Sequence, residues 1–428
     1  MGLTVRVDAR GEARLALAAA LLLVTVVGLA SRPAQGAELK ADAMLRGRAG
    51  AVQSQVPWNE AGFGKLVDGG DADDFDSTFQ GEVQLGVDLR GGEVLRLHVH
   101  GLARTQPGAA RGRQVGLAEA FVLYRPPLSD STRLRITAGH FFPPTSRENT
   151  GPLWSSPYTL TLSALNSWVA EEMRLTGAEL GVTHSTSRDE LLLAATVFGA
   201  NDSAGALLSW RGWSLGDRLS SVGELLPLPP LPSLAPGGAF GDQRSDGTRP
   251  VDELDGRPGF QARARWSRSD VAVLQAAYFD NRSDRRLHRG QYAWHTRMAS
   301  VGGEAHLGSR LTLVAEAAVG NTGMGPPTGP HVDLDFSAAY LLASWATDRF
   351  RVSARYDRFD NRDRDQTAEP NQEDGQALTV AVLWQPTGHV RLGLEGLGLW
   401  NQRPAAAYSG ASSNADAKRL LAELRLLF

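Results

Sequence analysis

Between Thr78 and Arg90 apolar and polar side chains take turns. Phe79, Gly81, Val83, Leu85, Val87 and Leu89 occupy one set of positions, and Thr78, Gln80, Glu82, Gln84, Asp88 and Arg90 the other. In an extended strand successive Cβ atoms point to opposite faces, whereas a helix would smear both sets around its cylinder. The segment is therefore a strand with one greasy and one charged face. Charges at every second position are expensive against a soluble core. They suit a strand whose outer face meets lipid and whose inner face meets water.

The pattern repeats. Leu95, Leu97 and Val99 alternate with Arg96, His98 and His100, after a turn at Gly91-Gly92 that suits the positive φ of a tight hairpin. Leu134-Ile136-Ala138 alternate with Arg133, Arg135 and Thr137, and Phe260-Ala262-Ala264-Trp266 with Gln261, Arg263 and Arg265. Phe350-Val352-Ala354-Tyr356 alternate with Arg351, Ser353, Arg355 and Asp357. Short turns at 90–93, 126–132, 185–190, 269–270, 308–310, 346–349 and 385–389 interleave with long connections at 54–76, 105–112, 143–171, 200–257, 280–291, 321–332, 360–375 and 401–416. Tight turns at one end and long loops at the other are the habit of transmembrane barrels. The expected fold is all-β: a closed antiparallel transmembrane β-barrel of about 16 strands, the first at 39–53 and the last at 418–428. Segment 206–216 is kept in a loop, because a further strand there would break the short–long order.

Residues 1–36 read differently. Arg6, Arg10 and Arg14 precede the apolar run Leu15 to Ala30, and Ala34 and Gly36 supply the small residues of a cleavage site. This is the pattern of a secretory signal peptide, too short in its apolar part for an anchor. The barrel then occupies 37–428. Removing the 4 basic and 2 acidic residues of 1–36 from totals of 44 and 47 leaves 40 and 45, a formal charge of −5. That balance argues against nucleic-acid binding, which needs a clustered basic excess. No cysteine is present, which suits passage through an oxidising compartment.

The chain ends Leu420-Leu421-Ala422-Glu423-Leu424-Arg425-Leu426-Leu427-Phe428. An aromatic last residue behind an alternating strand resembles the signal read by the outer-membrane barrel assembly machinery, with Phe428 as the residue read. Three further passages carry a family resemblance: Arg135 to Ser146 (RITAGHFFPPTS), Leu117 to Tyr124, and Phe336 to Leu342 followed by Arg351 to Phe359. They resemble the phosphate-selective porin O and P family. The resemblance implies a 16-stranded outer-membrane barrel of a Gram-negative bacterium, assembled as a homotrimer, that passes small hydrophilic solutes by diffusion. It does not carry phosphate selectivity with it. Lysine is scarce, and the inward arginines alternate with Glu82, Glu119, Glu179, Glu316 and Glu395.

The expected pore-lining residues are Arg96, Arg135, Arg263, Arg265, Arg351 and Arg355, with Glu82 and Glu119. Of the long connections, 143–171 holds Arg147, Glu148, Trp154, Tyr158 and Trp168, a composition that favours packing over a mobile tip. Arg147 and Glu148 would pair with wall charges if this loop folds inward as a constriction; otherwise it packs on neighbouring loops or subunits. Connection 200–257 holds Trp210-Arg211-Gly212-Trp213, where Arg211 is placed to stack between two tryptophans, and a proline run from Pro227 to Pro232 that forbids ladder pairing. It caps the mouth, meets a neighbouring barrel or is a plain surface loop. His98 and His100 have a chelating spacing but no third ligand nearby in sequence, so no metal or other cofactor is expected. Acidic runs at Asp71 to Asp74 and Asp360 to Asp365 would meet solvent or cations that bridge lipopolysaccharide. No Gly-x-Ser-x-Gly elbow, His-Glu-x-x-His or phosphate-loop motif occurs, so no enzyme is expected. The competing readings are a non-conducting structural or adhesive barrel and a hydrolase with its site at the rim.

Overall fold

The computed structural model describes residues 37–105, 114–243, 247–326, 328–365 and 367–428. The signal peptide expected at 1–36 lies outside them. Sixteen antiparallel strands close into one barrel: β1 (Ala37–Gln53), β2 (Asp76–Gly91), β3 (Leu95–Arg104), β4 (Val115–Tyr124), β5 (Thr132–Phe141), β6 (Leu175–Ser185), β7 (Asp189–Gly199) and β8 (Gly259–Arg268) form the first half. β9 (Ala272–Asp280), β10 (His295–Leu307), β11 (Leu311–Met324), β12 (Val332–Ala346), β13 (Phe350–Asp363), β14 (Glu373–Thr387), β15 (Val390–Gln402) and β16 (Ala417–Leu427) complete it. The strand count agrees with the alternation. β13 and β14 run further than expected, so Asp360 to Asp363 belong to a strand and leave only 364–372 as loop. Segment 206–216 carries a short helix, Ala206–Trp210, and no barrel strand.

Closure occurs where β1 meets β16, with Met44 opposite Leu427 and Gln53 opposite Lys418. The last residue takes part: the Phe428 N–H donates to the Ala43 carbonyl at 2.9 Å, and the Phe428 carbonyl accepts from the Ala43 N–H at 3.0 Å. A barrel leaves no open edge, which lets a sheet sit in lipid without unpaired backbone groups. Gly92, at φ 61°, makes the β2–β3 hairpin as tight as it is.

The outer surface follows from the alternation. Leu180, Leu193, Val197, Leu274, Val301, Val319, Leu341, Leu394 and Leu420 are exposed between two rings of aromatics. Tyr124, Trp345, Phe350, Trp384 and Phe428 sit toward the short-turn end, and Phe79, Phe260, Tyr278 and Trp400 toward the long-loop end. An aliphatic band between aromatic girdles is what a bilayer requires of a barrel wall.

The inner surface differs from a uniformly wet lumen. Val332, Leu334, Phe336 and Ala338 of β12 point inward and are buried. Leu334, Phe336 and Ala338 cluster with Trp168 and Trp213, and Val332 with Trp210 and Trp294; Trp168, Trp210 and Trp213 come from long loops folded into the barrel. Apolar residues on the inner face exist here because they have loops to cover.

Candidate functional site: the lumen and its inward loops

The connection from β5 to β6 enters the barrel and turns into a helix, α1 (Ala164–Glu172), laid against β12 and β13. Ser163 caps it, its hydroxyl accepting from the Asn166 N–H at 3.2 Å. Every residue of α1 is buried. Trp168 makes edge contacts with Trp213 and Phe336 at 5.8 and 5.1 Å between ring centres, and its indole N–H donates to Glu172 at 2.6 Å. This helix explains why the loop looked ordered in sequence.

Buried charge holds the loop in place. Arg355 of β13, with no exposed surface, donates to Glu148 at 2.7 Å, to Asp357 at 2.8 Å, and to the carbonyls of Thr161 and Leu162 at 2.6 and 2.9 Å. Glu148 also accepts from the Ser163 N–H and from the Asn166 amide at 3.0 and 2.9 Å. Arg147 pairs with Glu304 of β10 at 2.6 Å, and its backbone N–H donates to Glu316 of β11. From β15, Glu395 accepts from the Leu160 N–H at 2.6 Å. Arg174, at the loop's end, donates to five carbonyls and lies over the Phe142 ring, 3.2 Å from its centre. Arg147 and Glu148 thus both reach wall charges. Arg355 lies within the loop–wall junction, away from open water.

A second long segment, from residue 200 onward, meets the first, the Leu162 N–H donating to the Gly216 carbonyl at 3.1 Å. Asp217 is held by Arg46 and Arg48 of β1, the latter at 2.7 Å, and the arginines beside it keep its carboxyl well below the usual range despite burial. Glu373 gathers Lys65, Arg403, the Trp213 N–H and the Asn401 amide at 2.6, 3.2, 3.0 and 2.7 Å. Gly212, at φ 91°, makes this contact feasible: a Cβ there would fall 2.0 Å from the Glu373 carboxylate. Toward the long-loop end, Trp58, Trp210, Trp294, Leu226, Leu231 and Phe240 close an apolar cluster that includes leucines of the proline run. Arg211 does not stack between its two sequence neighbours. It lies over Trp58, 4.4 Å from the ring centre, because Trp210 and Trp213 are drawn to Trp294 and Trp168.

Toward the short-turn end the lumen stays open. A cavity of about 760 Å³ runs between the β4–β9 arc and the underside of the loop at Pro143 to Trp154. Arg125, Arg133, Arg135, Arg147, Arg263 and Arg265 line it, against Glu119, Glu179 and Glu190. Glu179 serves two cations, Arg263 at 2.8 Å and Arg135 at 3.3 Å, while Arg265 pairs with Glu190. Arg125 and Arg133 have no ion-pair partner among the described residues. Six arginines facing three glutamates leave the cavity wall positive.

Of the residues expected to line a pore, Arg135, Arg263, Arg265 and Glu119 border this cavity. Arg96 pairs with Asp88 at 2.7 Å, Glu82 with Arg46 at 2.9 Å, and Arg351 lies over Tyr158, 5.1 Å from its ring centre. The exposed Phe428 ends β16 at the membrane face, 6.4 Å from the His389 ring. Sequence reasoning set Arg133 on the polar face of its strand without counting it among the pore-lining residues, and overlooked Arg125 and Glu190, which stand at the turn ends of strands where alternation gives little guidance. It also missed the cluster in which Arg48, Arg391 and Arg425 surround Glu423 at 2.8, 3.0 and 2.9 Å. Period-two charges on β1, β15 and β16 were its signal.

No family model matches this sequence, and no curated protein matches it. Solved structures are similar in fold. The outer membrane channel DcaP of Acinetobacter baumannii superposes with a TM-score of 0.55 at 11% identity, over 93% of this chain and 99% of that one. OmpF of Salmonella typhi, in complex with daunomycin, gives 0.53 at 13% over 92% and 98%. The anion-selective porin from Comamonas acidovorans gives 0.51 at 10% over 92% and 100%. At such identities the kinship is one of architecture: the chain has the closed antiparallel barrel of outer-membrane channels.

Proposed function

We propose that this chain is an outer-membrane porin through which small hydrophilic solutes diffuse passively, with anions favoured. The observation that carries the reading is the arginine-lined cavity beneath a bolted inward loop, inside a closed barrel with an apolar exterior. A passive channel selects by width and by the charge on its wall. Here the loop would set the width, and the unpaired cations on the β4–β5 side would set the sign. Arg96, Arg351 and Glu82 would contribute to the field from beyond the cavity, and Arg147 and Glu148 would anchor the constriction. The anion selectivity named for the Comamonas porin is in keeping with this.

The likeness to the phosphate-selective porin O and P family makes phosphate one probe among several anions, although scarce lysine and interspersed glutamates set this lumen apart from that family's. Residues 1–36 would direct export. Phe428, exposed at the end of the closing strand, would present the signal to the assembly machinery. Lipid and lipopolysaccharide would surround the aromatic girdles, and three copies would assemble.

Purified protein in planar bilayers should give stepwise conductance, and a salt gradient should give a reversal potential of the sign set by anions. A cation-signed potential would refute the selectivity. One observation favours a second reading, a barrel that does not conduct at rest: the long-loop half of the lumen is packed with Trp58, Trp168, Trp210, Trp213 and Trp294. Silent barrels of correct fold would decide for it.

A further inference from the structure

His98 and His100 stand two residues apart on the inner face of β3, and the sheet supplies what the sequence lacks. In register, Glu119 of β4 lies opposite His100, and Asp88 of β2 opposite His98. A nitrogen of each imidazole and a carboxylate oxygen of Glu119 lie within 4.8 Å of one another.

Hydrogen bonds fix which nitrogens are free. Gln84 donates its amide N–H to Glu82 at 2.5 Å, so its oxygen faces His100 Nε2 at 2.9 Å. Nε2 therefore carries the proton, and Nδ1 keeps its lone pair. That Nδ1 is fully buried and has no hydrogen-bond partner. What faces it, at 3.7 Å, is Oε2 of Glu119, a second electron-rich atom. The other oxygen of Glu119 is taken by the Phe142 N–H at 3.0 Å. At His98, Nδ1 stands 2.6 Å from Asp88, too close for anything but a donated proton, so the 3.2 Å approach of Arg96 adds no bond and Nε2 has the lone pair.

The buried Nδ1 lone pair of His100 and the part-buried carboxylate oxygen of Glu119 repel unless a cation lies between them. Two atoms each about 2.1 Å from a tetrahedral zinc stand roughly 3.4 Å apart, close to the 3.7 Å between His100 Nδ1 and Glu119 Oε2, with the His98 nitrogen inside the 4.8 Å that bounds the set. Two imidazoles and one carboxylate, each histidine oriented by an acceptor on its far nitrogen, form a set suited to first-row transition metals and poorly suited to calcium or magnesium. Glu119 and Phe121 border the arginine-lined cavity, and the His98 ring rests on Phe121 at 4.9 Å. An ion would enter from that side, and water would fill the remaining position.

We propose that His98, His100 and Glu119 form a binding site for one divalent transition-metal ion, Zn²⁺ being the probe of choice, on the cavity wall. The site does not depend on the passage of solutes. The test uses the whole barrel without a polyhistidine tag, stripped with chelator, titrated with Zn²⁺ by calorimetry and with Co²⁺ by visible absorption. One ion per chain should bind. His100→Ala and Glu119→Gln should each weaken binding at least about tenfold, while His184→Ala, at the exposed short-turn end, should leave it unchanged. His100→Gln serves if the alanine variant does not fold, and the Co²⁺ spectrum of the unaltered protein needs no variant. Absence of saturable binding would overturn the proposal. Binding that survives both substitutions would overturn it too.

Discussion

Removing Arg355 should release the constriction without opening the barrel. Its guanidinium is buried and serves two carboxylates, Glu148 of the loop and Asp357 of its own strand, together with the Thr161 and Leu162 carbonyls. Arg355→Ala leaves two buried acids without their cation, and breaking a buried pair from one side costs about 3–5 kcal/mol. The two carbonyls lose donors worth about 1 kcal/mol each. The hydrogen bonds of the barrel are untouched, so the loop undocks first. Single-channel recordings should show raised, noisier conductance relative to the parent, and Trp168 and Trp213 should become accessible to aqueous quenchers. Adding Glu148→Gln removes one of the stranded charges. A cycle over the two substitutions should return a coupling of about 0.5–3 kcal/mol. Parental conductance and quenching in a folded Arg355→Ala barrel would refute the claim that this arginine pins the loop.

Arg263→Ala with Arg265→Ala should move the reversal potential toward cations, because Glu179 and Glu190 each lose a partner that lines the cavity; an unmoved potential would place the selectivity elsewhere. Trp168→Ala should cost about 3–5 kcal/mol of loop docking, read as a lower melting temperature of the tryptophan signal while the barrel's β-sheet circular dichroism persists. Burial raises the Glu172 carboxyl from 4.5 to about 7. A raised value means that the docked state holds its proton more tightly, so the contribution is full below about 4.5 and lost as pH rises through about 7. Docking of α1 should therefore weaken between about pH 5 and pH 8, and Glu172→Gln should flatten that dependence; an unchanged slope would acquit Glu172. Deleting Phe428 removes both backbone bonds to Ala43 at the seam, and should slow folding into vesicles, measured by the heat-dependent shift in gel mobility.

The alternation determined the barrel because its cause is local. Each strand must show lipid one face, so a period of two is written into every segment, and sixteen such segments could be counted. The short–long order of connections followed from the same constraint, and so did the loop assignment of 206–216. What fills the lumen was decided elsewhere. Whether Arg355 faces water or clamps Glu148 depends on a loop two hundred residues away in the chain. The inward apolar residues Leu334 and Phe336 carried no sequence sign that a tryptophan-bearing helix would cover them. Glu119 becomes the neighbour of His100 only through the β3–β4 register. Alternation fixes which face a side chain takes, since that is a property of one strand; which groups meet across the interior is a property of closure, and it is there that the charges, the constriction and the candidate metal ligands find their partners.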